Sequence, residues 1–168
     1  ITAGRKNIYD GLLNYHEAEE RIQNVYNPYH AHLQKLIDRT AKKFGFCLVL
    51  DCHSMPSKIC NIMQDNRQIE FCLGTLFEQS CPSEMYEFFM QHLKQKYNVS
   101  LDCPYSGAHI SFNYCQPRKN IYTLQMEINR SLYEDEAVYK KSQNFQYVSS
   151  DICAAIIDLA NFLLDFKK

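Results

Sequence analysis

With 168 residues, of which 46% are hydrophobic, the chain is long enough for one domain with a sizeable core and too short for two of ordinary size. The formal net charge is -1 and neither sign forms a long block, so we expect neither a nucleic-acid groove nor a membrane-attracted face. No apolar run approaches the roughly 18 residues of a membrane-spanning helix. We therefore predict a single domain over residues 1–168 that acts on a small molecule.

The eight cysteines contain no CxxC pair. Several lie in apolar runs, where a free cysteine behaves as a small buried hydrophobe: Cys47, Cys72 and Cys153. We interpret them as reduced structural thiols, with disulfides or a metal cluster as the alternative. Reduced thiols favour a cytoplasmic location.

The residue pattern of the N-terminal quarter predicts two helices. Residues 15–25 are rich in helix formers, and Asn27-Pro28 is expected to break that helix and to start another over residues 28–44. Apolar residues recur there at steps of three and four, and Gly45 is expected to end the helix.

A buried strand is predicted directly after this helix. Residues 46–50 are uninterruptedly apolar, which is typical of a strand buried on both faces of an α/β sheet. In such sheets, ligands bind beyond the carboxyl ends of the strands. His53 is expected at that position.

The remaining elements follow in order. We predict a loop over 55–68, strands over 69–74 and 98–101, a helix opening at 82–84, a turn-rich stretch over 102–120, a strand over 121–128 and a final helix over 148–166. The strand 121–128 alternates strictly, so that Gln125 and Glu127 share one face.

His53 and Glu127 are the first candidates for chemistry. A histidine can ligate a metal while a carboxylate outside the ligand set accepts a proton from the attacking water. The alternatives are a hydrogen-bonded structural histidine and a glutamate paired with a basic residue. Asp51 is a candidate to support a ligand, and its role stays open.

Arg130 follows Glu127 by three residues and is suited to hold a substrate carboxylate through two parallel hydrogen bonds. The alternative is an ion pair with Glu134 or Asp135. Arg118 is a weaker candidate for the same role.

Two further histidine patterns argue against other kinds of site. His30 and His32 are two residues apart and face different sides of a helix, which argues against joint ligation of one metal. Cys52 and His53 are adjacent on a strand and point to opposite faces, so they cannot form a nucleophile and base pair.

Taken together, YNPYHAHL, LVLDCHSMP, CPYSGAHISFNYCQP and LQMEINRSLYEDE resemble motifs of the N-formylglutamate amidohydrolase family, over about residues 9–136. That family is similar to the zinc carboxypeptidases and aspartoacylase. The resemblance implies a three-layer α/β/α fold with a mixed central sheet.

The resemblance also implies roles for particular residues. His53 matches the third zinc ligand, and Glu127 matches the general base that activates the zinc-bound water. Arg130 matches a candidate anchor for the substrate carboxylate, and Tyr105 and His109 are further substrate-binding candidates. The cofactor expected is Zn²⁺.

This chain lacks the family's N-terminal motif with the first two zinc ligands. The resemblance therefore implies the C-terminal two-thirds of a longer domain, with further ligands expected from the missing segment. The expected activity is zinc-dependent removal of a formyl or similar acyl group from an acidic amino acid such as N-formyl-L-glutamate. The alternative is a binding protein of the same fold without turnover, and the oligomeric state stays open.

Overall fold

One long helical segment spans residues 15–44. The structure is a computed structural model that describes residues 7–60 and 68–165. Helix α1 spans Tyr15–Arg21, a π-helical turn spans Ile22–Tyr26, and helix α2 spans Asn27–Phe44. Asn14 caps the segment by accepting from the Glu17 backbone N–H, and Gly45 ends it with a left-handed φ of 73°.

The predicted break at Asn27-Pro28 is wrong. Proline has no N–H to donate, and an ordinary helix would lose a hydrogen bond there. The wider π-turn absorbs this defect, because the Asn27 N–H bonds to the carbonyl of Ile22, five residues back. The two predicted helices therefore join into one.

A four-stranded mixed sheet forms the centre of the fold. Strands β1 (Cys47–Met55), β2 (Phe71–Gly74), β3 (Val99–Leu101) and β4 (Ile121–Asn129) lie in the order β1-β4-β2-β3. Strand β4 is parallel to β1 and antiparallel to β2, and β2 is parallel to β3. The expectation of a mixed sheet is confirmed.

Helices cover both faces of the sheet. The other helices are α3 (Ser57–Cys60), α4 (Ser83–Lys94), α5 (His109–Tyr114) and α6 (Phe145–Asp165), and a small hairpin pairs β5 (Glu134–Asp135) with β6 (Lys140–Lys141). Helices α4 and α6 pack on the face of Leu124 and Met126, which holds the main core. Helices α2 and α5 pack on the opposite face, around Ile121. This is the predicted three-layer arrangement.

Strand β1 differs from its prediction in length and in burial. It continues to Met55 because β4 pairs with it in register as far as Asn129, so His53 lies within the strand rather than beyond its end. Within the described ranges β1 pairs on one side only, and apart from Cys47 and Met55 its residues are half-buried or exposed. The prediction of a strand buried on both faces is therefore wrong.

Three smaller expectations also need correction. Helix α5 occupies part of the stretch predicted as turns, and α3 occupies part of the loop predicted over 55–68, of which residues 61–67 lie outside the described part. Among the predicted buried cysteines, Cys47 and Cys72 are buried but Cys153 is exposed on α6.

Helix α6 is long and apolar enough, by length and composition, to cross a membrane. It has 21 residues and a mean hydropathy of 1.5 over its most apolar window, so the expectation that no segment reaches this length is wrong. Core helices of soluble proteins pass the same test. Ala155, Leu159 and Leu163 of α6 pack in the main core against α4 and the sheet.

Candidate active site

The pairing of β1 with β4 brings the two principal candidates together. His53 is in register with Glu127, and Asp51 is in register with Gln125. Residues paired across neighbouring strands point to the same face, and alternate residues along a strand share a face. The four side chains therefore form one polar group on the sheet face that carries α2 and α5.

His53 lies beside the carboxylate of Asp51. Its Nε2 is 3.0 Å from Asp51 Oδ2, and the side chains are 43% and 14% exposed respectively. The two atoms are at ion-pair distance, but Asp51 Oδ2 is a buried atom without an aligned hydrogen-bond partner among the described residues. Asp51, whose role the sequence left open, is thus the immediate neighbour of the histidine.

Glu127 is buried, with 6% of its surface exposed. Its Oε1 accepts a 2.7 Å hydrogen bond from Gln125 Nε2, while its Oε2 is buried and has no hydrogen-bond partner in the described structure. Burial raises the pKa of the Glu127 carboxyl, and Asp51 adds to this, while His53, the Gln125 hydrogen bond and Arg130 oppose it. One oxygen of this carboxylate is therefore hydrogen bonded, and the other is open in the sense that no described residue donates a hydrogen bond to it.

Arg130 lies in a 3₁₀ turn (Arg130–Leu132) that directly follows β4. Its Nε donates to Ser54 Oγ at 3.1 Å, and its Nη2 donates to the Ser54 carbonyl at 3.3 Å. In the described part of the chain, the hydrogen bonds of Arg130 thus go to Ser54, and neither Glu134 nor Asp135 forms the ion pair that was the alternative. Arg118 lies in the turn Pro117–Lys119 before β4 begins, at the opposite end of the strand.

Tyr105 lies at the same end of the sheet as Glu127. Burial raises the pKa of its phenol, the nearby Glu127 and Cys60 raise it further, and Arg130 lowers it. Its carbonyl accepts from the Cys72 thiol at 3.2 Å, and Cys72 is in register with Glu127. The structure therefore places Tyr105 with Glu127 and Arg130.

His109 belongs to a different cluster. It is the first residue of α5 rather than a loop residue, and its Nε2 lies 2.9 Å from the Tyr26 hydroxyl. Its ring is 5.5 Å from that of His30, which is itself hydrogen bonded to Tyr114. Among the described residues, the contacts of His109 thus go to α2 and to its own helix, and none of them reaches His53 or Glu127.

Two residues of the site were not predicted. The strand pattern places Gln125 on the same face as Glu127, but the hydrogen bond between them depends on a side-chain conformation that the pattern does not specify. Nothing in the sequence marks Ser54 as a site residue except its position next to His53. Its partnership with Arg130 depends on the parallel register of two strands that are far apart in sequence.

The donors at this site suit a zinc ion in kind but not in number. Zinc in proteins is held by imidazole nitrogen, thiolate or carboxylate oxygen, usually through three or four protein ligands. His53 provides one such donor, and Asp51 Oδ2 and Glu127 Oε2 are buried carboxylate oxygens without hydrogen-bond partners among the described residues. No group of three or more potential ligands occurs within residues 7–60 and 68–165. The described residues fit part of a zinc site.

The sequence of this chain is similar to that of a known family. A sequence model of the family described as N-formylglutamate amidohydrolase matches residues 1–134. An N-formylglutamate deformylase of Pseudomonas putida is 31% identical over 130 residues, which cover 76% of this chain and 48% of that protein. One from Pseudomonas aeruginosa is 30% identical over 139 residues, covering 77% and 52%. The chain spans about half the length of these curated relatives.

Solved structures give the same picture of the fold. The crystal structure of N-formylglutamate amidohydrolase from Ralstonia eutropha superposes with a TM-score of 0.86 at 28% identity, covering 93% of this chain and 57% of that one. A gene product of Agrobacterium tumefaciens, at 14% identity and a TM-score of 0.56, shares the fold.

Proposed function

Since this chain belongs to the N-formylglutamate amidohydrolase family, we propose that it provides the proton-transfer and carboxylate-binding side of a site that hydrolyses the formyl amide of N-formyl-L-glutamate. The observation that carries the proposal is the register of His53 with Glu127, which sets an imidazole beside a buried carboxylate with one open oxygen. The names of the related deformylases support the choice of substrate.

His53 is the residue of this chain that would hold a zinc ion. A bound zinc lowers the pKa of a coordinated water to about 7 and polarises an acyl carbonyl. Within the described residues, fewer than three candidate ligands converge on one point. The other protein ligands of the zinc would therefore come from outside the described residues. Asp51, 3.0 Å from His53 Nε2, would orient the imidazole and balance the charge of the cation.

Glu127 would act as the general base. Its open Oε2 accepts a proton as the water oxygen attacks the formyl carbon, and the same carboxyl then gives the proton to the departing nitrogen. One C–O bond forms and the C–N bond breaks, so the products are formate and glutamate. Gln125 holds the other oxygen of Glu127 through this sequence.

Arg130 and Tyr105 would bind the acidic part of the substrate. The guanidinium is close enough to Glu127 and Tyr105 to oppose the rise that burial causes in their pKa values, and a carboxylate is a suitable partner for it. His109 is left with a structural role in the cluster that joins α2 to α5. A cytoplasmic location, proposed from the reduced thiols, is compatible with such a soluble substrate.

The small number of potential metal ligands among the described residues favours a second function. A protein that binds N-formyl-L-glutamate or a similar acid without turning it over would need Arg130 and Tyr105 but not a complete metal site. The incomplete set of ligands in the described residues is the observation that supports this alternative.

Formate release separates the two functions. The purified chain, and the longer product if its gene encodes one, would be incubated with N-formyl-L-glutamate, and formate and bound zinc would both be quantified. We expect formate release with one zinc per chain, and we expect both to be lost in His53→Ala. Substrate binding without formate release at full zinc occupancy would favour the binding function.

A further inference from the structure

Ser54 contacts Arg130 through two different atoms. Its hydroxyl oxygen accepts from Nε at 3.1 Å and its carbonyl oxygen accepts from Nη2 at 3.3 Å. A guanidinium is planar and rigid, so two such bonds fix both its position and its plane. Both residues are half-buried, which protects these bonds from competition with water.

These two bonds occupy one edge of the guanidinium and leave another open. Of the five N–H groups of arginine, one is on Nε and two are on each Nη nitrogen. Ser54 takes the edge formed by Nε and Nη2. Within residues 7–60 and 68–165, Nη1 has no hydrogen-bond acceptor, so the Nη1 and Nη2 end is available for two parallel bonds to a carboxylate.

Arg130 lies near the polar group that contains Glu127. Arg130 follows β4 by one residue and Ser54 follows His53 by one residue, so this pair caps the end of the strands that carry His53 and Glu127. Arg130 also acts electrostatically on both Glu127 and Tyr105. A carboxylate held there would leave the rest of an amino-acid-sized ligand near Glu127.

We propose that Ser54 is a positioning residue that orients Arg130 for end-on recognition of a ligand carboxylate. The inference rests on the proposed function for the identity of the acid but not for the geometry of the arginine. Serine is suited to the task because its side chain is short and its hydroxyl and carbonyl oxygens lie close enough to meet one edge of a single guanidinium.

The test is direct binding by the metal-free chain, so that it does not depend on turnover. The probe is N-formyl-L-glutamate, and its bis-amide is the control ligand because it carries no carboxylate. Affinity would be measured by NMR titration, together with the arginine Nε–H signal of Arg130 and its rate of exchange with water.

We expect Ser54→Ala to weaken binding of the acid by about tenfold, since one hydrogen bond to a charged group is lost. Its Arg130 Nε–H should exchange faster with water. Ser54→Thr, which restores the hydroxyl, should bind within about twofold of the unsubstituted chain. Ser150→Ala, at an exposed serine of α6, is the matched control and should change neither quantity. Binding of the bis-amide should be unaffected throughout.

Unchanged affinity in Ser54→Ala would overturn the proposal, and so would equal weakening in Ser54→Thr. Absence of carboxylate-dependent binding in the unsubstituted chain would overturn it as well. These outcomes are distinct from failure of the proposed function. A chain that binds the acid through Ser54 and Arg130 but never releases formate would contradict the hydrolase and leave this inference standing.

Discussion

Gln125 donates a 2.7 Å hydrogen bond from its Nε2 to Oε1 of Glu127, two residues further along the same strand. Both side chains are buried, and the bond leaves Glu127 Oε2 and Gln125 Oε1 without partners in the described structure. A buried polar atom without a partner is costly, and such atoms are concentrated at sites that receive a ligand. The pair thus defines which oxygen of Glu127 can take part in chemistry.

Replacing Gln125 by Leu should make the reaction more sensitive to acid. Burial raises the pKa of Glu127 and the Gln125 hydrogen bond opposes this, so loss of the bond should raise that pKa further. A base with a higher pKa is protonated over a wider acidic range, and the acidic limb of the rate profile should move to higher pH. We expect turnover on the acidic limb to fall, by at most about tenfold, and to recover as the pH rises.

The pH dependence of formate release measures this effect. Gln146→Leu, which changes the same residue type at an exposed position of α6, is the control and should leave the profile unchanged. A uniform loss of rate in Gln125→Leu, with no shift of the acidic limb, would contradict this role of the hydrogen bond.

Glu127→Gln should stabilise the fold near neutral pH. The pKa of Glu127 is raised by burial, so the folded chain holds this proton more tightly than the unfolded chain does. The stabilisation from this bound proton is fully present at pH values below the pKa of Glu127 in the unfolded chain. It is lost as the pH rises through the pKa of Glu127 in the folded chain. The neutral glutamine avoids that loss.

Urea unfolding as a function of pH tests this prediction. The free energy of unfolding of Glu127→Gln should exceed that of the unsubstituted chain at pH 7, and the difference should disappear in acid. A difference that is constant with pH would show that the ionisation of Glu127 is not its cause.

Phe89 should account for a large part of the stability of the main core. It is fully buried on α4, where it packs with α6 and the sheet. Phe89→Ala should lower the free energy of unfolding by about 3–5 kcal/mol, because it removes buried contacts and leaves a cavity. Phe112, on α5, is 76% exposed and makes a matched control. A similar loss in Phe89→Ala and Phe112→Ala would contradict this description of the core.

A left-handed turn after β2 contains three consecutive residues that are not glycine. Leu76, Phe77 and Glu78 have φ angles of 51°, 55° and 65°. Side chains in this conformation cost about 1–2 kcal/mol per residue, and Phe77 is 69% exposed and has little packing to offset the cost. Phe77→Gly should therefore raise the free energy of unfolding by about 1 kcal/mol.

Thermal or urea unfolding of two variants decides this point. Phe77→Ala removes the same ring but keeps a Cβ in the strained conformation, so it should gain little. Equal stabilisation by Ala and Gly would mean that the exposed ring, and not the backbone, is the source of the strain.

The alternating pattern of residues 121–128 predicted β4 and its faces correctly. Leu124 and Met126 are in the main core, while Gln125 and Glu127 share the other face. Such a pattern is local, because each side chain reports its own environment. The amphipathic helices α4 and α6 were predicted from the same kind of signal.

Features that depend on pairing between strands far apart in the chain could not be predicted from the sequence. The length of β1 is set by its register with β4, about seventy residues away, and not by its own apolar run. The same register gives Arg130 its partner, Ser54, in place of the acids nearer in sequence. The π-turn before Pro28 was missed because proline usually ends a helix, and here a rarer hydrogen-bond pattern accommodates it.

The most direct test of the account is the turnover of Glu127→Gln compared with its zinc content, in the longest product that the gene encodes. If Glu127 is the general base and His53 is a zinc ligand, formate release from N-formyl-L-glutamate should fall by about 10²–10⁴-fold while zinc per chain stays unchanged. Formate release at the unsubstituted rate would contradict the account. So would loss of zinc together with activity, because Glu127 would then be a ligand.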